Sequence, residues 1–198
     1  MVVIMRDDFR LIAKIYDRII KPKEVISWAN YICKPNTGKK LLDVGGGTGR
    51  IIQSINTCFD RVFLYDVSIS MLLEAKSKNI GIIGVCGEVE NLGFPSNSFD
   101  VIIMVDTLHH VEDHKKAILS ILEVLKPGGV FVLEEPDIRK LPVKLIAIME
   151  KLLLMRSHFL KPSEILSWIN PVLFKIDLFE EENNYYFVII KKSSIDVS

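Results

Sequence analysis

A glycine-rich turn is the segment of this chain whose residue types and spacing most directly suggest chemistry. The apolar run Leu41–Val44 leads into Gly45–Arg50, and Ile51, Ile52 and Ile55 follow at helical spacing. Glycines let the backbone come close to a ligand because no Cβ obstructs it. The free N–H groups at the start of a following helix attract an anionic group. The turn therefore predicts a site for a small molecule that carries a nucleoside or a carboxylate.

The spacing of the glycines leaves more than one interpretation open. A dinucleotide fingerprint has the pattern Gly-x-Gly-x-x-Gly, and Arg50 stands where its third glycine would fall. The observed Gly-x-Gly-x-Gly spacing also fits a tight strand-to-helix connection that binds nothing.

Polar residues also follow the other apolar runs. Asp66 lies 21 residues after Gly45, a spacing that suits hydrogen bonds to both hydroxyls of a ribose. Glu88 and Val89 follow the third run, and Asp106–His110 follows the fourth. Ligands of open α/β sheets bind at the carboxyl ends of the strands, so these segments are expected to lie around one ligand.

Strands alternate with helices through the middle of the chain. The predicted strands are residues 40–45, Arg61–Tyr65, Gly81–Cys86, Phe99–Val105 and Val130–Glu134, and the helices between them include Ser68–Lys78 and Asp113–Leu125. This alternation is typical of a parallel, doubly wound α/β sheet. The continuous apolar run Phe99–Val105 indicates a central strand covered on both faces. Lys126–Gly129 is predicted to stop the helix Asp113–Leu125.

The two ends of the chain depart from this alternation. Residues 8–33 have the pattern of two helices. Pro142–Met155 is a strongly apolar helical stretch, and Pro162–Ile169 is a short helix. Leu173–Phe179 and Tyr185–Lys191 are predicted strands whose short polar link requires an antiparallel hairpin.

Composition limits the class of protein. The 198 residues are most simply one domain, and 25 basic residues balance 25 acidic ones, so no basic field attracts nucleic acid or an anionic membrane. Cys33, Cys58 and Cys86 have no CxxC spacing, which predicts neither a zinc cluster nor a disulfide framework and favours a reducing cytoplasm. The start of the chain is charged too soon for a signal peptide, and no run reaches the ~20 apolar residues of a spanning helix.

Five segments, in order, resemble the class I S-adenosylmethionine-dependent methyltransferases, and within them the branch of the ubiquinone and menaquinone biosynthesis enzymes. They are Leu41–Gly49, Tyr65–Leu72, Gly87–Asp100, Leu108–Val111 and Leu125–Gly129. The resemblance implies a Rossmann-like, doubly wound sheet of seven strands in the order 3-2-1-4-5-7-6, with a C-terminal antiparallel hairpin and helices on both faces. Within a single domain of residues 1–198, it implies a helical cap over residues 1–35 and a helical insertion over residues 138–170 that covers the acceptor site.

The resemblance also implies S-adenosyl-L-methionine as the cofactor and S-adenosyl-L-homocysteine as the product. The residues expected around the cofactor are Tyr16, Asp43, Gly45, Gly46, Gly47, Thr48, Asp66, Val67, Met71, Glu88, Val89 and Asp106. Asp43 would lie near the ammonium group, Asp66 would take the ribose hydroxyls and Glu88 the adenine amine, while Tyr16 lies on a helix that closes over the cofactor. Each acid also fits a structural role, as a cap of its turn or as a solvated loop residue, and Met71 also fits a core residue.

His109 and His110 follow the fourth strand, beside the expected methyl position. A neutral imidazole can accept a proton at about pH 7, so either ring is a candidate general base, with packing of the loop as the alternative role. Together with Asp106 they also resemble the Glu-x-x-Glu-His pattern of metal-assisted members of the superfamily. That interpretation would need His158 or Glu135 as a further ligand, and a site without metal is favoured.

The expected function is methyl transfer to a small acceptor by in-line displacement. The apolar stretch Leu141–Met155 would cover a hydrophobic acceptor, dock on a partner or membrane surface, or belong to the core. A short-chain nicotinamide oxidoreductase is the alternative enzyme, disfavoured by the terminal hairpin and by the absence of a Tyr-x-x-x-Lys pair after the fourth strand. A non-catalytic relative that activates a partner is the other alternative. The chain is expected in the cytoplasm, as a monomer or homodimer.

Overall fold

The computed structural model of the chain describes residues 27–33, 39–78, 80–152 and 157–193. Most of the predicted N-terminal cap, including the candidate Tyr16, lies outside the described residues. Among the described residues, no helix has the length and apolar character needed to cross a membrane.

Seven strands form one twisted sheet. They are β1 (Lys40–Val44), β2 (Arg61–Asp66), β3 (Ile82–Cys86), β4 (Phe99–Val105), β5 (Leu125–Pro136), β6 (Phe174–Glu180) and β7 (Asn184–Lys191). The order is 3-2-1-4-5-7-6, in which β1 to β5 pair in parallel and β7 pairs antiparallel with both β5 and β6. The predicted fold class, strand order and terminal hairpin are confirmed.

Six α-helices are described, of which the first precedes β1 and the others lie between strands. They are α1 (Ala29–Ile32), α2 (Ile52–Ile55), α3 (Ile69–Ser77), α4 (His114–Val124), α5 (Leu141–Leu152) and α6 (Pro162–Leu166). Ser68 is the N-cap of α3, where its hydroxyl accepts a hydrogen bond from the Met71 N–H at 3.2 Å. Asp113 is the N-cap of α4, where its carboxylate accepts from the Lys116 N–H at 3.0 Å. These side chains satisfy first-turn amides that a helix cannot pair internally.

Alternate residues of the central strands pack into two separate layers. On one face Leu42 and Ile102 pack with Ile118 of α4, and on the other Leu41 and Ile103 pack with residues of α1, α2 and α3. Successive side chains of a strand point to opposite faces, so a strand covered on both sides must be apolar throughout. β4 therefore lies at the centre of the sheet, as its unbroken apolar sequence predicts.

β5 begins earlier than the sequence predicts. Lys126–Gly129, predicted only to stop the preceding helix, lies within the strand, and the pairing with β4 changes register between Phe99 and Val101. The Lys126 ammonium donates to both carboxylate oxygens of Asp100 at 2.9 Å, which holds this segment against β4. The irregular pairing has the character of a bulge, which a Pro-Gly-Gly sequence accommodates.

Cys33 and Cys58 form a disulfide, which corrects the prediction that the cysteines are unpaired. The fold brings the end of α1 beside the 3₁₀ turn that follows α2, so the two Cα atoms lie 5.3 Å apart although 25 positions separate them in sequence. A pairing made by tertiary contact leaves no trace in local cysteine spacing. The cysteine content therefore no longer argues for a reducing cytoplasm, and the localisation stays a prediction.

Candidate functional site

The glycine turn connects the carboxyl end of β1 to a single turn of helix. Gly45, Gly47 and Gly49 have φ angles of +68°, +55° and +73°, a region that glycine enters without strain. The N–H groups of Gly45 and Gly46 donate to the Tyr65 carbonyl at 2.7 and 3.3 Å, which fastens the turn to β2. The expected amphipathic helix is reduced to the four residues of α2. Any anion at this site is therefore bound by the loop amides rather than by the dipole of a long helix.

Gly45 lies directly against Thr107, the second residue after the end of β4. The Thr107 hydroxyl lies 3.2 Å from the Gly45 carbonyl oxygen and 2.9 Å from the Val105 carbonyl oxygen. A Cβ on Gly45 would lie 2.1 Å from Thr107 Cγ2, whereas a Cβ on Gly47 would meet nothing within 4 Å. Gly45 is thus required by the contact between two loops, while Gly47 borders open space.

Asp66 ends β2 in contact with the glycine turn. Its side chain is 9% exposed, and its two oxygens accept hydrogen bonds from the Gly47 N–H and the Ser68 N–H, both at 2.8 Å. A carboxylate offers about four lone-pair sites, so further donors can be accommodated. The structure brings the predicted ribose-binding acid and the predicted methionine-binding loop together.

Asp43 is buried beneath the same turn. Its side chain is 2% exposed, and Oδ2 has no hydrogen-bond partner among the described residues. This oxygen lies beside Gly46, where an added Cβ would come within 2.6 Å of it. Burial raises the pKa of Asp43 to about 8, the negative charge of Asp66 adds to the rise, and the Arg50 guanidinium opposes it. The carboxyl group is therefore held largely protonated until a cation approaches.

Arg50 and Asp106 join the loops after β1 and β4. Arg50 Nη2 lies 3.1 Å from Asp106 Oδ2, and the Arg50 side chain is only 9% exposed. Asp106 has a φ of +52°, a conformation that L-residues rarely adopt, and its N–H donates to the Glu134 carbonyl at 3.0 Å. From the sequence, Arg50 is notable only because it occupies the position of the third glycine in a dinucleotide fingerprint. Its position directly after the glycine turn, at the sheet edge where acids follow the strands, is the signal that could have identified it as an ion-pair partner.

The residues predicted to surround adenine follow β2 (Val67 and Met71) and β3 (Glu88 and Val89). Met71 and Val89 are buried, Val67 is half-buried and Glu88 is exposed. The Tyr65 hydroxyl donates to the Glu88 carbonyl at 3.2 Å, so this buried ring anchors the loop after β3. Tyr65 is not among the predicted site residues, because in the sequence it is simply one more position of the apolar run that forms β2.

His109 is held by Glu135, the residue next to the last of β5. The His109 ring nitrogen Nδ1 lies 2.5 Å from Glu135 Oε2, and both side chains are about 5% exposed. The ring stacks on Phe159 with centroids 4.5 Å apart, and the His158 N–H donates to the His109 carbonyl at 2.7 Å. The structure thus places a buried carboxylate and an aromatic ring around one of the two predicted histidines.

His110 has a different environment. Its Nδ1 lies 3.1 Å from the Ser157 hydroxyl, and its ring centroid is 4.0 Å from that of His109. Burial lowers the pKa of His110 to about 3, reinforced by His109 and opposed by Glu135. The ring is therefore neutral at every pH at which a cell operates.

The hypothetical metal ligands are not assembled in the part of the chain that the structure describes. No group of three His, Cys, Asp or Glu side chains there is arranged to hold a metal ion. Asp106 is paired with Arg50 and His109 with Glu135, so both proposed donors already have partners. Glu135, considered in the sequence only as a metal ligand, is instead a hydrogen-bond acceptor for the β4 loop.

The sheet order places the glycine turn and the acids of β1 and β2 at one edge of the sheet. Residues 42–133 match the family described as Methyltransferase domain. Together with the similarities below, this match supports a class I S-adenosylmethionine-dependent methyltransferase. Neither this match nor the similarities below support the oxidoreductase alternative.

Two similar proteins are the ubiquinone/menaquinone biosynthesis C-methyltransferases UbiE of Cronobacter sakazakii and Psychromonas ingrahamii. They are 41% and 40% identical to this chain over 107 residues, which is 49% of the chain and 43% of each relative. The chain thus spans less than half of the length of these relatives.

Solved structures with the same fold cover nearly the whole chain. A chain from the complex between the Haloferax volcanii Trm112 methyltransferase activator and a methyltransferase has a TM-score of 0.78 and 15% identity, covering 95% of this chain and 99% of its own length. A S-adenosylmethionine-dependent methyltransferase from Clostridium acetobutylicum has a TM-score of 0.69 and 18% identity, with coverage of 94% and 100%. At these identities the likeness supports the fold alone.

Substitution of Gly45 by Ala is expected to destabilise the fold far more than substitution of Gly47 by Ala. Both positions have positive φ, which costs an L-residue roughly 1–2 kcal/mol, but only Gly45→Ala also drives a methyl group into Thr107. Overpacking adds about 1–3 kcal/mol, so chemical denaturation should separate the two variants by at least that amount. Equal stabilities would show that the two loops do not meet at Gly45.

Ionisation of Asp43 is expected to weaken the ligand-free fold as the pH rises. The folded-state pKa is raised from 3.8 to about 8, so the stabilisation from protonated Asp43 is complete below about pH 4 and is lost as the pH rises through about 8. Asp43→Asn, which cannot ionise, should lack this loss. Denaturation measured across that window tests it, and identical pH profiles for the two proteins would contradict the raised pKa.

Proposed function

We propose that this chain transfers a methyl group from S-adenosyl-L-methionine to a small, hydrophobic acceptor, leaving S-adenosyl-L-homocysteine. The observation that carries the proposal is the buried Asp43 carboxyl, whose Oδ2 has no partner among the described residues and lies beside the glycine turn. An unpaired buried carboxylate is costly, and the ammonium group of an amino acid supplies both a counter-charge and a hydrogen bond. The residues present therefore fit the methionine end of this cofactor.

The remaining cofactor contacts follow from the residues around Asp43. Asp66, which accepts hydrogen bonds from the Gly47 and Ser68 N–H groups, is proposed to accept the ribose hydroxyls as well. Glu88 and the Val89 N–H meet the adenine edge, and Asp106 borders the methionine end. The other residues proposed to line the cofactor are Gly45, Gly46, Gly47, Thr48, Val67 and Met71.

The residues of the chain contribute chiefly orientation and exclusion of water. The cofactor supplies a methyl group on a positively charged sulfur, which is a good leaving group, so much of the rate comes from holding the acceptor atom in line with the carbon–sulfur bond. The Thr107–Gly45 contact and the Arg50–Asp106 pair hold the β1 and β4 loops together at this edge of the sheet. His109 and His110 are the proposed candidates to receive a proton when the acceptor atom must lose one.

The insertion over residues 138–170 is proposed to cover the acceptor. On α5, Leu141, Leu145 and Ile148 recur at helical spacing, and their side chains are 69%, 56% and 57% exposed, whereas Val143 is 2% exposed. An apolar helix face left open to this extent is typical of a binding surface. The names of the UbiE relatives refer to quinone biosynthesis, which is consistent with a lipophilic acceptor.

The whole chain is proposed to act as one domain, as a monomer or homodimer, in the cytoplasm. Its balanced charge, with 25 basic and 25 acidic residues, favours a small acceptor over nucleic acid.

Binding of S-adenosyl-L-methionine is expected to release about one proton below about pH 8. An ammonium beside Asp43 favours the ionised carboxylate, so the pKa of about 8 falls when the cofactor binds. Calorimetry in two buffers with different protonation enthalpies counts the released proton. S-Adenosyl-L-homocysteine should behave alike, and adenosine, which lacks the ammonium, should bind without release.

Asp43→Asn provides the matched control for this experiment. The variant should bind the cofactor more weakly, by roughly the 1.5–3 kcal/mol of a charge-assisted hydrogen bond, and should release no proton. Stabilisation by NAD without any binding of S-adenosyl-L-methionine would overturn the proposed cofactor.

Transfer of a labelled methyl group is expected to favour hydroquinones with an isoprenoid tail over tail-less, polar analogues. Leu145→Asp places a charge on the open face of α5 and should raise KM for the tailed acceptor at least several-fold, because an apolar contact is replaced by a solvated carboxylate. Leu119→Asp, at a 46% exposed leucine on α4, is the matched control and should change KM little. Turnover of polar acceptors only would remove the hydrophobic acceptor from the proposal.

A further inference from the structure

The two edge strands of the sheet differ in how their side chains protect them. β6, at one edge, carries Lys175, Asp177 and Glu180, and the Lys175 ammonium lies 3.2 Å from Asp177 Oδ2. β3, at the other edge, has the sequence Ile-Ile-Gly-Val-Cys, which contains no charged residue. Proteins commonly place charges on an exposed edge strand, which prevents it from pairing with another chain. The composition of β3 therefore permits a pairing that the composition of β6 opposes.

The backbone of β3 directs every second residue away from the sheet. Among the described strands β3 pairs only with β2, in parallel. The Gly87 N–H donates to the Asp66 carbonyl at 3.1 Å, so the residues two and four positions before Gly87 face β2 as well. Ile82, Gly84 and Cys86 consequently direct their N–H and C=O groups outward along the edge. Such a row of backbone groups is a template for one further strand.

Apolar side chains border this edge on both faces of the sheet. On one face, α3 packs on β2 and β3, and the Leu72 side chain of α3 borders Gly84. Ile69 and Leu73 are 61% and 62% exposed, and their spacing of three and four residues places Ile69, Leu72 and Leu73 in one stripe along α3. On the other face, Ile83 is 47% exposed. An exposed apolar surface of this kind is typical of an interaction site.

We propose that β3 pairs with β3 of a second copy of this chain, antiparallel about a two-fold axis at Gly84. In this register Gly84 lies opposite its own equivalent, Ile82 lies opposite Cys86, and Ile83 lies opposite Val85. The outward-directed residues then exchange N–H and C=O hydrogen bonds, as directly opposed residues of an antiparallel ladder do. The two sheets become one continuous sheet. This inference does not depend on the proposed methyl transfer.

The position of α3 favours a second copy of the chain over an isolated strand as the occupant. A two-fold axis perpendicular to the sheet leaves both α3 helices on the same face. Because α3 packs over β2 and β3, and strands lie about 4.8 Å apart, the two helix axes are separated by about two strand spacings, or about 10 Å. Packed helices have axes about 8–10 Å apart. The stripes of Ile69 and Leu73 therefore meet above Gly84, which has no side chain to separate them.

The charges beside β3 also suit an antiparallel pair. Lys76 and Lys78 precede the strand, and Glu88 and Glu90 follow it. In the antiparallel pair the start of one β3 lies beside the end of the other, so the basic end of each copy meets the acidic end of its partner. The two α3 helices also run antiparallel, with the positive N-terminus of one beside the negative C-terminus of the other. The edge is thus complementary to itself in charge as well as in shape.

Sedimentation velocity over a range of protein concentrations tests the interface. The unsubstituted protein should approach twice the 22.5 kDa mass of one chain as its concentration rises. Ile83→Lys places a charge in the apolar interface of each copy and should raise the dissociation constant of the dimer by roughly tenfold or more. Leu178→Lys, at a 37% exposed leucine of the other edge strand, β6, is the matched control and should leave the constant unchanged.

Two results of this experiment would contradict the proposal. A monomer at every concentration would exclude the second copy as the occupant of β3 and leave this edge to a strand of another protein. A dimer that persists in Ile83→Lys but dissociates in Leu145→Asp would place the interface on the exposed apolar face of α5 instead.

Disulfide cross-linking tests the register of the pair. Ile82→Cys should form an intermolecular disulfide with Cys86 of the second copy when diamide takes up the two electrons and two protons of the thiols. The two cysteines of one chain cannot bond to each other, because four residues of extended strand span about 13 Å. Ile82→Cys combined with Cys86→Ser is the control and should give no covalent dimer on a non-reducing gel. A covalent dimer in both proteins, or in neither, would contradict the proposed register.

Discussion

Desolvation of acidic groups at the carboxyl edge of the sheet is the constraint on which the rest of the site depends. A parallel sheet covered on both faces leaves that edge as the place for polar chemistry. Asp43, Asp66 and Glu135 are 2%, 9% and 3% exposed there. Asp66 and Glu135 are compensated by backbone amides, whereas Asp43 remains protonated beneath the glycine turn. Asp43 is therefore the acid whose ionised form a cationic group of a ligand would stabilise.

Contacts between side chains and backbone also hold the loops after β1 and β4 next to each other. Thr107 meets Gly45 across the gap between β1 and β4, and Arg50 pairs with Asp106 beside it. Glu135 ties the β4 loop to β5 through backbone amides. Positive φ at Gly45 and Asp106 is the backbone consequence of this convergence. The site is therefore held by interactions between loops rather than by the interior of any one helix.

Most of the fold could be predicted because it rests on periodic apolar patterns. The unbroken run of β4 and the short link before β7 predict a central parallel strand and an antiparallel hairpin, and both are confirmed. The expectation of no disulfide is wrong, since Cys33 pairs with Cys58, and so is the predicted start of β5 at Val130. Both depend on pairings between segments far apart in sequence, which local spacing does not record.

The sequence by itself determined the strand order through its resemblance to a family, and it identified the acids and glycines that follow the strands. It could not decide their protonation or their partners. Asp43 and Asp66 are the same residue type after adjacent strands, yet only Asp66 receives backbone donors in the contacts described. Likewise, His109 and His110 are neighbours in sequence, and only the tertiary structure gives His109 a buried carboxylate at Nδ1. Desolvation and hydrogen-bond geometry depend on how the chain packs. For this reason residues of the same type differ in protonation and in hydrogen-bond partners only once the tertiary structure has formed.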